Sequence, residues 1–157
     1  MQAHELMTQP VVTVRAQTSI AEVARIMVDY RIGCVPVVDT SGQLLGIVTQ
    51  TDFAANEHGA PFSMEAVLQM FSQPISGHET ERVRADAHRT KAREIMITEV
   101  VTASDDTPVE EIARAMLRYD IDHIPVIRDG MPIGMVSRHD FLRMIADVAH
   151  PRTACHV

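Results

Sequence analysis

The sequence has little from which to build a disulfide scaffold, an aromatic core or a membrane span. Its two cysteines, Cys34 and Cys155, allow at most one bridge, and an apolar fraction of 46% is ordinary for a chain that needs none. A reduced, cytoplasmic setting is therefore expected. Tryptophan is absent and aromatics make up 4% of the chain, which leaves the core to Val, Ile, Leu, Met and Ala. Unbroken apolar runs reach about five residues, against the ~20 of a membrane-crossing helix. The N-terminal stretch MQAHELMTQP has no basic patch followed by an apolar one, so neither a span nor a secretory leader is expected. Cations are outnumbered, with 14 Lys and Arg against 21 Asp and Glu and a formal charge of −7. That balance repels a phosphate backbone and disfavours a nucleic-acid partner. The phosphate loops G-x-x-x-x-G-K-[ST] and G-x-G-x-x-G are absent, as are HExxH and CxxC. No catalytic residue, no metal ligand and no obligatory cofactor is assigned, and an enzyme is not expected. The tail residues His150, Cys155 and His156 follow Pro151 and are expected to be disordered rather than to hold a metal.

What the chain does contain is a repeat. Shifted by 89 positions, residues 7–38 fall on 96–127 with 13 of 32 pairs identical, too dense a match for chance. The matches include Met7/Met96, the Val-Val-Thr triplets at 11–13 and 100–102, Glu22/Glu111, Tyr30/Tyr119 and Pro36-Val37/Pro125-Val126. After a one-residue gap Gly42, Gly46, Val48 and Asp52-Phe53 fall on Gly130, Gly134, Val136 and Asp140-Phe141. Two copies are too few for a solenoid and suit a pseudo-symmetric pair.

Each copy reads as βαββα. The β-branched run Val11–Val14 is expected to be a strand. A helix follows from the capping box Ser19-x-x-Glu22, and in the second copy from Thr107-Pro108-Val109-Glu110 with Pro108 as its first helical residue. Its apolar face is assigned to Ile20, Val23, Ala24, Met27 and Tyr30, and to Val109, Ile112, Ala113, Met116 and Leu117. Gly33 is expected to end the first helix with a positive φ, and Asp122 stands at that place in the second. Strands are expected over Cys34–Val38 and Leu44–Thr49, matched by His123–Ile127 and Ile133–Ser137, with Asp129-Gly130 as a two-residue hairpin turn. A last helix begins near Thr51 and near Arg138. Between the copies, a short helix is expected from Ser63 to Phe71, a turn at Pro74–Gly77, and a charged helix over 78–93 that docks weakly through Val83 and Ala87. The expected division is 1–56 for the first unit, 57–93 for the helical insertion, 94–149 for the second unit and 150–157 for the tail.

The run G-C-V-P-V-V-D, a hairpin and G-I-V-T-Q-T-D in the first copy, with H-I-P-V-I-R-D-G and G-M-V-S-R-H-D-F in the second, resembles a pair of CBS domains, also called a Bateman module. The resemblance covers residues 3–56 and 90–148. It implies an α/β (α+β) fold of two βαββα units packed through their sheets about a pseudo-twofold axis. It also implies two clefts for adenosine-containing ligands such as AMP, ADP, ATP or S-adenosylmethionine, and a homodimeric disc of four units. Such a module ordinarily regulates an attached protein. Here a stand-alone sensor acting on an unidentified protein target is expected.

Within that resemblance the nucleotide signature is Thr49-Gln50-Thr51-Asp52 and Ser137-Arg138-His139-Asp140. A carboxylate grips the paired hydroxyls of a ribose, and the hydroxyl beside it bonds ribose or phosphate. Ser, Thr and Asp at a helix start are also ordinary caps, and both roles fit. The resemblance places backbone groups before Pro36 and Pro125 at the adenine edge, which names Cys34 and Val35 in one cleft and His123 and Ile124 in the other. An edge proline in a sheet fits as well. Thr13 and Thr102, at the expected end of each first strand, line the adenine pocket in this reading or are simply strand-end residues. Arg138 suits a phosphate, and the cleft of Ser137 and Asp140 is expected to prefer a phosphorylated ligand unless Arg138 points to water. The alternative function is a ligand-independent dimerisation or protein-interaction module with vestigial clefts.

Overall fold

The computed structural model describes residues 1–54 and 77–146. In chain order its elements are α1 (Ala3–Leu6), β1 (Val14–Arg15), α2 (Ile20–Tyr30), β2 (Cys34–Val38), β3 (Leu44–Thr49), α3 (Gln50–Ala54), α4 (Gly77–Arg89) and α5 (Ala92–Ile95), then β4 (Ala103–Ser104), α6 (Val109–Tyr119), β5 (His123–Arg128), β6 (Met131–Ser137) and α7 (Arg138–Ile145). They form two three-stranded sheets, β1-β2-β3 and β4-β5-β6. In each, the short first strand runs parallel to the middle strand, and the middle strand pairs antiparallel with the third. The expected βαββα repeat and mixed α/β class hold.

Local chemistry accounts for the boundaries. Ser19 caps α2 by accepting the Glu22 N–H at 3.3 Å. Only this half of the expected capping box is seen, and the second copy has no side-chain cap: Pro108 occupies the N-cap rather than the first helical position, and it has no hydroxyl to cap with. Thr107 instead accepts the Ser104 N–H at 2.9 Å, as Thr18 accepts that of Arg15 at 3.1 Å, so this threonine closes the strand-to-helix turn in both copies. The left-handed residue after each long helix is Arg31 (φ 53°) and Asp120 (φ 51°), not Gly33 or Asp122. The reversal is needed at the first residue past the helix, two places before Gly33. The hairpin turn Asp129-Gly130 has positive φ at both residues, 52° and 78°, as a primed turn requires.

Three other expectations shift. Val11–Thr13 lie outside any strand, because only Val14 and Arg15 reach register with Val37 and Val38. Leu117 is 79% exposed, one residue past the buried Met116 and so rotated out of the core face, and Tyr30 is also exposed. β5 and β6 run beyond the expected ends, to Arg128 and from Met131. The charged helix α4 does dock: Ala87 is buried, Val83 is half-buried and the helix packs on α2. The expected helix at 63–71, most of the turn at 74–77 and the tail lie outside the described residues.

The two copies exchange their leading segments. Ala3, Leu6 and Met7 belong to the core of the second copy, with Val109, Ile112, Met116, Ile124, Val126 and Val136. Ala92, Ile95 and Met96 complete the core of the first, with Val14, Val23, Met27, Val35, Val37 and Val48. Backbone bonds fasten each crossing. Thr8 pairs with Met135 and Ile97 with Ile47, and the Ala3 and Ala92 N–H groups donate to Thr107 and Thr18 carbonyls at 2.9 and 2.8 Å. The hairpins also meet directly, with Leu44 N–H donating to Gly130 O at 2.9 Å and Gln43 Nε2 to Asp129 O at 3.0 Å.

The matched glycines Gly46 and Gly134 sit beneath these crossings. A Cβ at Gly46 would lie 2.6 Å from the carbonyl oxygen of Ile97, and one at Gly134 would collide with the Met7 side chain, 2.8 Å from its Cγ. Gly46→Ala meets backbone that is itself hydrogen-bonded, whereas Gly134→Ala meets a flexible thioether. Gly46→Ala is expected to lower unfolding free energy by about 1–3 kcal/mol and Gly134→Ala by less. Urea titration of both variants checks the order.

Candidate functional site

The candidate site lies where β3 hands over to α3, and β6 to α7. Thr49 is the register partner of Cys34 and Ser137 of His123, so the start of each middle strand lies beside the start of each last helix. At the first junction Asp52 Oδ2 accepts the Thr49 N–H at 2.6 Å and the Thr49 hydroxyl at 3.0 Å. At the second, Asp140 Oδ2 accepts the Ser137 N–H and hydroxyl, both at 2.7 Å. Each carboxylate is thus a helix cap, and one of its oxygens is anchored by its own junction. Asp52 is half-buried and Asp140 is 3% exposed.

The neighbours of these carboxylates differ. Cys34 is buried, and burial first, then the negative charge of Asp52, pushes its thiol up to about 12. Such a thiol is protonated at neutral pH and is no nucleophile. His123 is half-buried. Burial lowers its imidazole from the ordinary 6.5, with Asp122 and Asp140 opposing that shift. Its ring crosses to the other copy: a Cβ on Gly33 would stand 3.2 Å from His123 Cε1 and 3.6 Å from Gln50 Cδ. Gly33 therefore serves close approach between the copies, not backbone freedom.

Other sequence-derived candidates fall in several places. Val35, Pro36, Ile124 and Pro125 are fully buried. Pro36 and Pro125 precede by one residue the point where the parallel strand joins, so each lies where its strand has a neighbour on one side. Thr13 and Thr102 are exposed and precede β1 and β4. His139 is exposed on the first turn of α7. Arg138 does not simply point to water: its Nε lies 2.8 Å from Asp122 Oδ1 and an Nη 3.5 Å from Asp120 Oδ1.

The sequence by itself shows Gly33 against Asp122 and Gln50 against Arg138 as divergences between the copies; the third, Arg31 against Asp120, was missed. The Gln50 N–H donates to Gly33 O and the Arg138 N–H to Asp122 O, both at 3.0 Å. Two divergences between the copies, Gly33 against Asp122 and Gln50 against Arg138, are therefore one spatial contact changed as a pair. A cavity of about 480 Å³ between α2 and α3 is lined by Ala24, Met27, Val28, Arg31, Gln50 and Phe53. Among the described residues there is no cluster of three or more His, Cys, Asp or Glu that could hold a metal, and no helix long and apolar enough to cross a membrane.

The fold is thus a tandem of two small sheets, each ending in a capped Thr/Ser-x-x-Asp junction. A family profile described as CBS domain matches residues 3–59 and 92–147, and the chain belongs to that family. Among solved structures, the CBS domain of a CBS-domain-containing membrane protein from Sphaerobacter thermophilus is 37% identical, with a TM-score of 0.76, over 91% of this chain and 86% of that one. A CBS domain pair in complex with 5′-methylthioadenosine and S-adenosyl-L-methionine is 26% identical, with a TM-score of 0.68, over 94% of this chain and 97% of that one. An L-aspartate semialdehyde sulfurtransferase of Methanocaldococcus jannaschii is 28% identical over 89% of this chain but only 22% of its own length. A homoserine O-acetyltransferase of Methanohalobium evestigatum is 31% identical over 91% of this chain and 24% of its own length. The chain thus spans about a quarter of these two curated relatives.

Two outcomes follow from the geometry. Asp52→Ala removes the acceptor for the Thr49 N–H and is expected to cost about 1 kcal/mol of stability without any ligand, whereas Asp52→Asn retains an acceptor and costs less. Chemical denaturation of the pair tests this. For His123 the folded-state value lies below the unfolded one, so the unfolded chain takes up the proton first as pH falls. Stability is thus full above the ordinary 6.5 and declines as pH drops from there toward the lowered folded value. His123→Gln is expected to flatten that part of the pH–stability profile, as read by urea titrations between pH 5 and 8.

Proposed function

We propose that this chain is a regulatory sensor that binds an adenosine-containing ligand, AMP, ADP, ATP or S-adenosylmethionine, in the clefts between its two CBS units. Binding is passed to a protein target through a change in packing of the copies or of two protomers. The observation that carries the reading is the pair of equivalent junctions, in which a carboxylate is fixed by its own helix start beside the first residues of a buried strand. Thr49, Asp52, Ser137 and Asp140 are the ribose and phosphate contacts in this reading, and the backbone of Cys34, Val35, His123 and Ile124 meets the adenine edge. The similar CBS pair with 5′-methylthioadenosine and S-adenosyl-L-methionine supports the ligand class. The catalytic activities of the longer relatives stay with those proteins, and the role here is regulatory.

Assembly through the helices is the second part of the proposal. Val28, Leu117 and Ile145 are 75%, 79% and 78% exposed on α2, α6 and α7, and in this reading they are the apolar contacts of the assembly. A homodimer of four CBS units covers them. The same faces would serve a ligand-independent assembly module, so ligand response separates the two readings.

Thermal shift and calorimetry with AMP, ADP, ATP, S-adenosylmethionine and NADH are expected to show stabilisation by at least one adenosyl ligand, of about 2.7 kcal/mol at a hundredfold excess over Kd. Silence across the whole panel refutes the sensor. Solution mass is expected to report a dimer that Leu117→Arg converts to monomer; an unchanged mass in that variant refutes the helix-mediated assembly.

A further inference from the structure

The helix faces of the two halves share a backbone but differ in relief and in charge. On the first, α2 and α3 leave a hollow of about 480 Å³ lined by Ala24, Met27, Val28, Arg31, Gln50 and Phe53. On the second, Leu117, Leu142 and Ile145 project from α6 and α7, each more than half exposed. The first copy has Ala54 and Glu57 in its sequence where the second has Leu142 and Ile145, so two of these three projections have no large apolar counterpart. Arg31 and Asp120 follow Tyr30 and Tyr119 at equivalent positions, and both take the left-handed backbone, φ 53° and 51°. Opposite charges thus stand at one place in the two halves. Arg31 forms no ion pair among the described residues. The Asp120 carboxylate is almost fully exposed, with an Arg138 Nη at 3.5 Å.

We propose that two copies of this chain pair head to tail, the α2/α3 face of one on the α6/α7 face of the other, and that Arg31 and Asp120 fix this arrangement. The projections of each protomer fill the hollow of the other, and a twofold axis makes the contact twice. Head to head, by contrast, sets hollow on hollow and projection on projection, which forfeits close apolar contact. It also opposes Arg31 to its own copy and Asp120 to its own copy, two like-charge encounters. Because the halves share a backbone, head-to-tail pairing replaces both by an Arg31–Asp120 encounter at a similar separation. The inference rests on the helix-mediated assembly reading and adds to it which half meets which.

The test is cross-linking of the full chain carrying Cys155→Ser, in which the remaining Cys34 is buried. Val28→Cys and Leu117→Cys are made separately, one with a tag that changes its mass, then mixed, allowed to exchange and treated with a short bismaleimide. Head-to-tail pairing is expected to give the mixed product and little of either self-linked product. A charge exchange read by sedimentation is independent of cysteine. Arg31→Asp alone and Asp120→Arg alone are each expected to weaken dimerisation about tenfold, since each dimer has two such encounters. The double variant Arg31→Asp/Asp120→Arg is expected to regain the original affinity. Each substitution places a residue that already adopts this backbone at the equivalent position, and melting curves establish that the variants fold. Self-linked products that dominate the mixture, or single charge variants that dimerise as the parent does, overturn the head-to-tail arrangement while the assembly reading stands. A parent chain that stays monomeric leaves the hollow to another occupant and overturns both.

Discussion

Gly46 and Gly134 mark the places where a segment from one half of the chain lies directly on the sheet of the other. Met96 and Ile97 cross Gly46, and Met7 crosses Gly134. A side chain at either glycine would hold the crossing segment away from the sheet, and with it the α1 or α5 residues that complete the opposite core. Each core is completed by the other half's leading segment. Packing between the halves is therefore part of the fold rather than a later docking step. Small cores gain most from such sharing, because a unit of this size buries too little surface alone.

That interlock carries the site. With the hairpins joined at Leu44–Gly130 and Gln43–Asp129, the opposite ends of β2 and β5 are brought toward the partner half, and the His123 ring lies against Gly33. The strand residues there are deeply buried, and the carboxylates at the helix starts lie beside them. Asp52 and Asp140 serve the fold and the proposed site with the same atoms. One oxygen of each caps its own helix start, which orders the carboxylate before any ligand arrives.

Much of this was legible in the chain. The 89-residue repeat and the Gly/Pro punctuation place β2, β3 and the two helices of each copy, because periodicity and turn chemistry act over a few residues. Val11–Thr13 misled because β-branching favours an extended backbone without supplying a partner strand. Leu117 misled because an apolar residue next to a core position counts toward the helix's hydrophobic pattern even when it faces out. Gly33 misled because glycine serves both positive φ and close approach, and only the position of His123 tells which applies.

The charge pattern shows the same division. The residues alone determine that the second copy carries Asp120, Asp122 and Arg138 where the first has Arg31, Gly33 and Gln50, and that each copy repeats a hydroxyl-x-x-Asp. The identity of a residue states its charge but not its partner. Only the tertiary structure decides that Arg138 is bound to Asp122 and Asp120 while Arg31 lines a cavity without an ion pair among the described residues. It alone decides, too, that the segments led by Met7 and Met96 complete the cores opposite to their own. Both outcomes depend on contacts between residues far apart in the chain, and local propensity carries no information about such pairs.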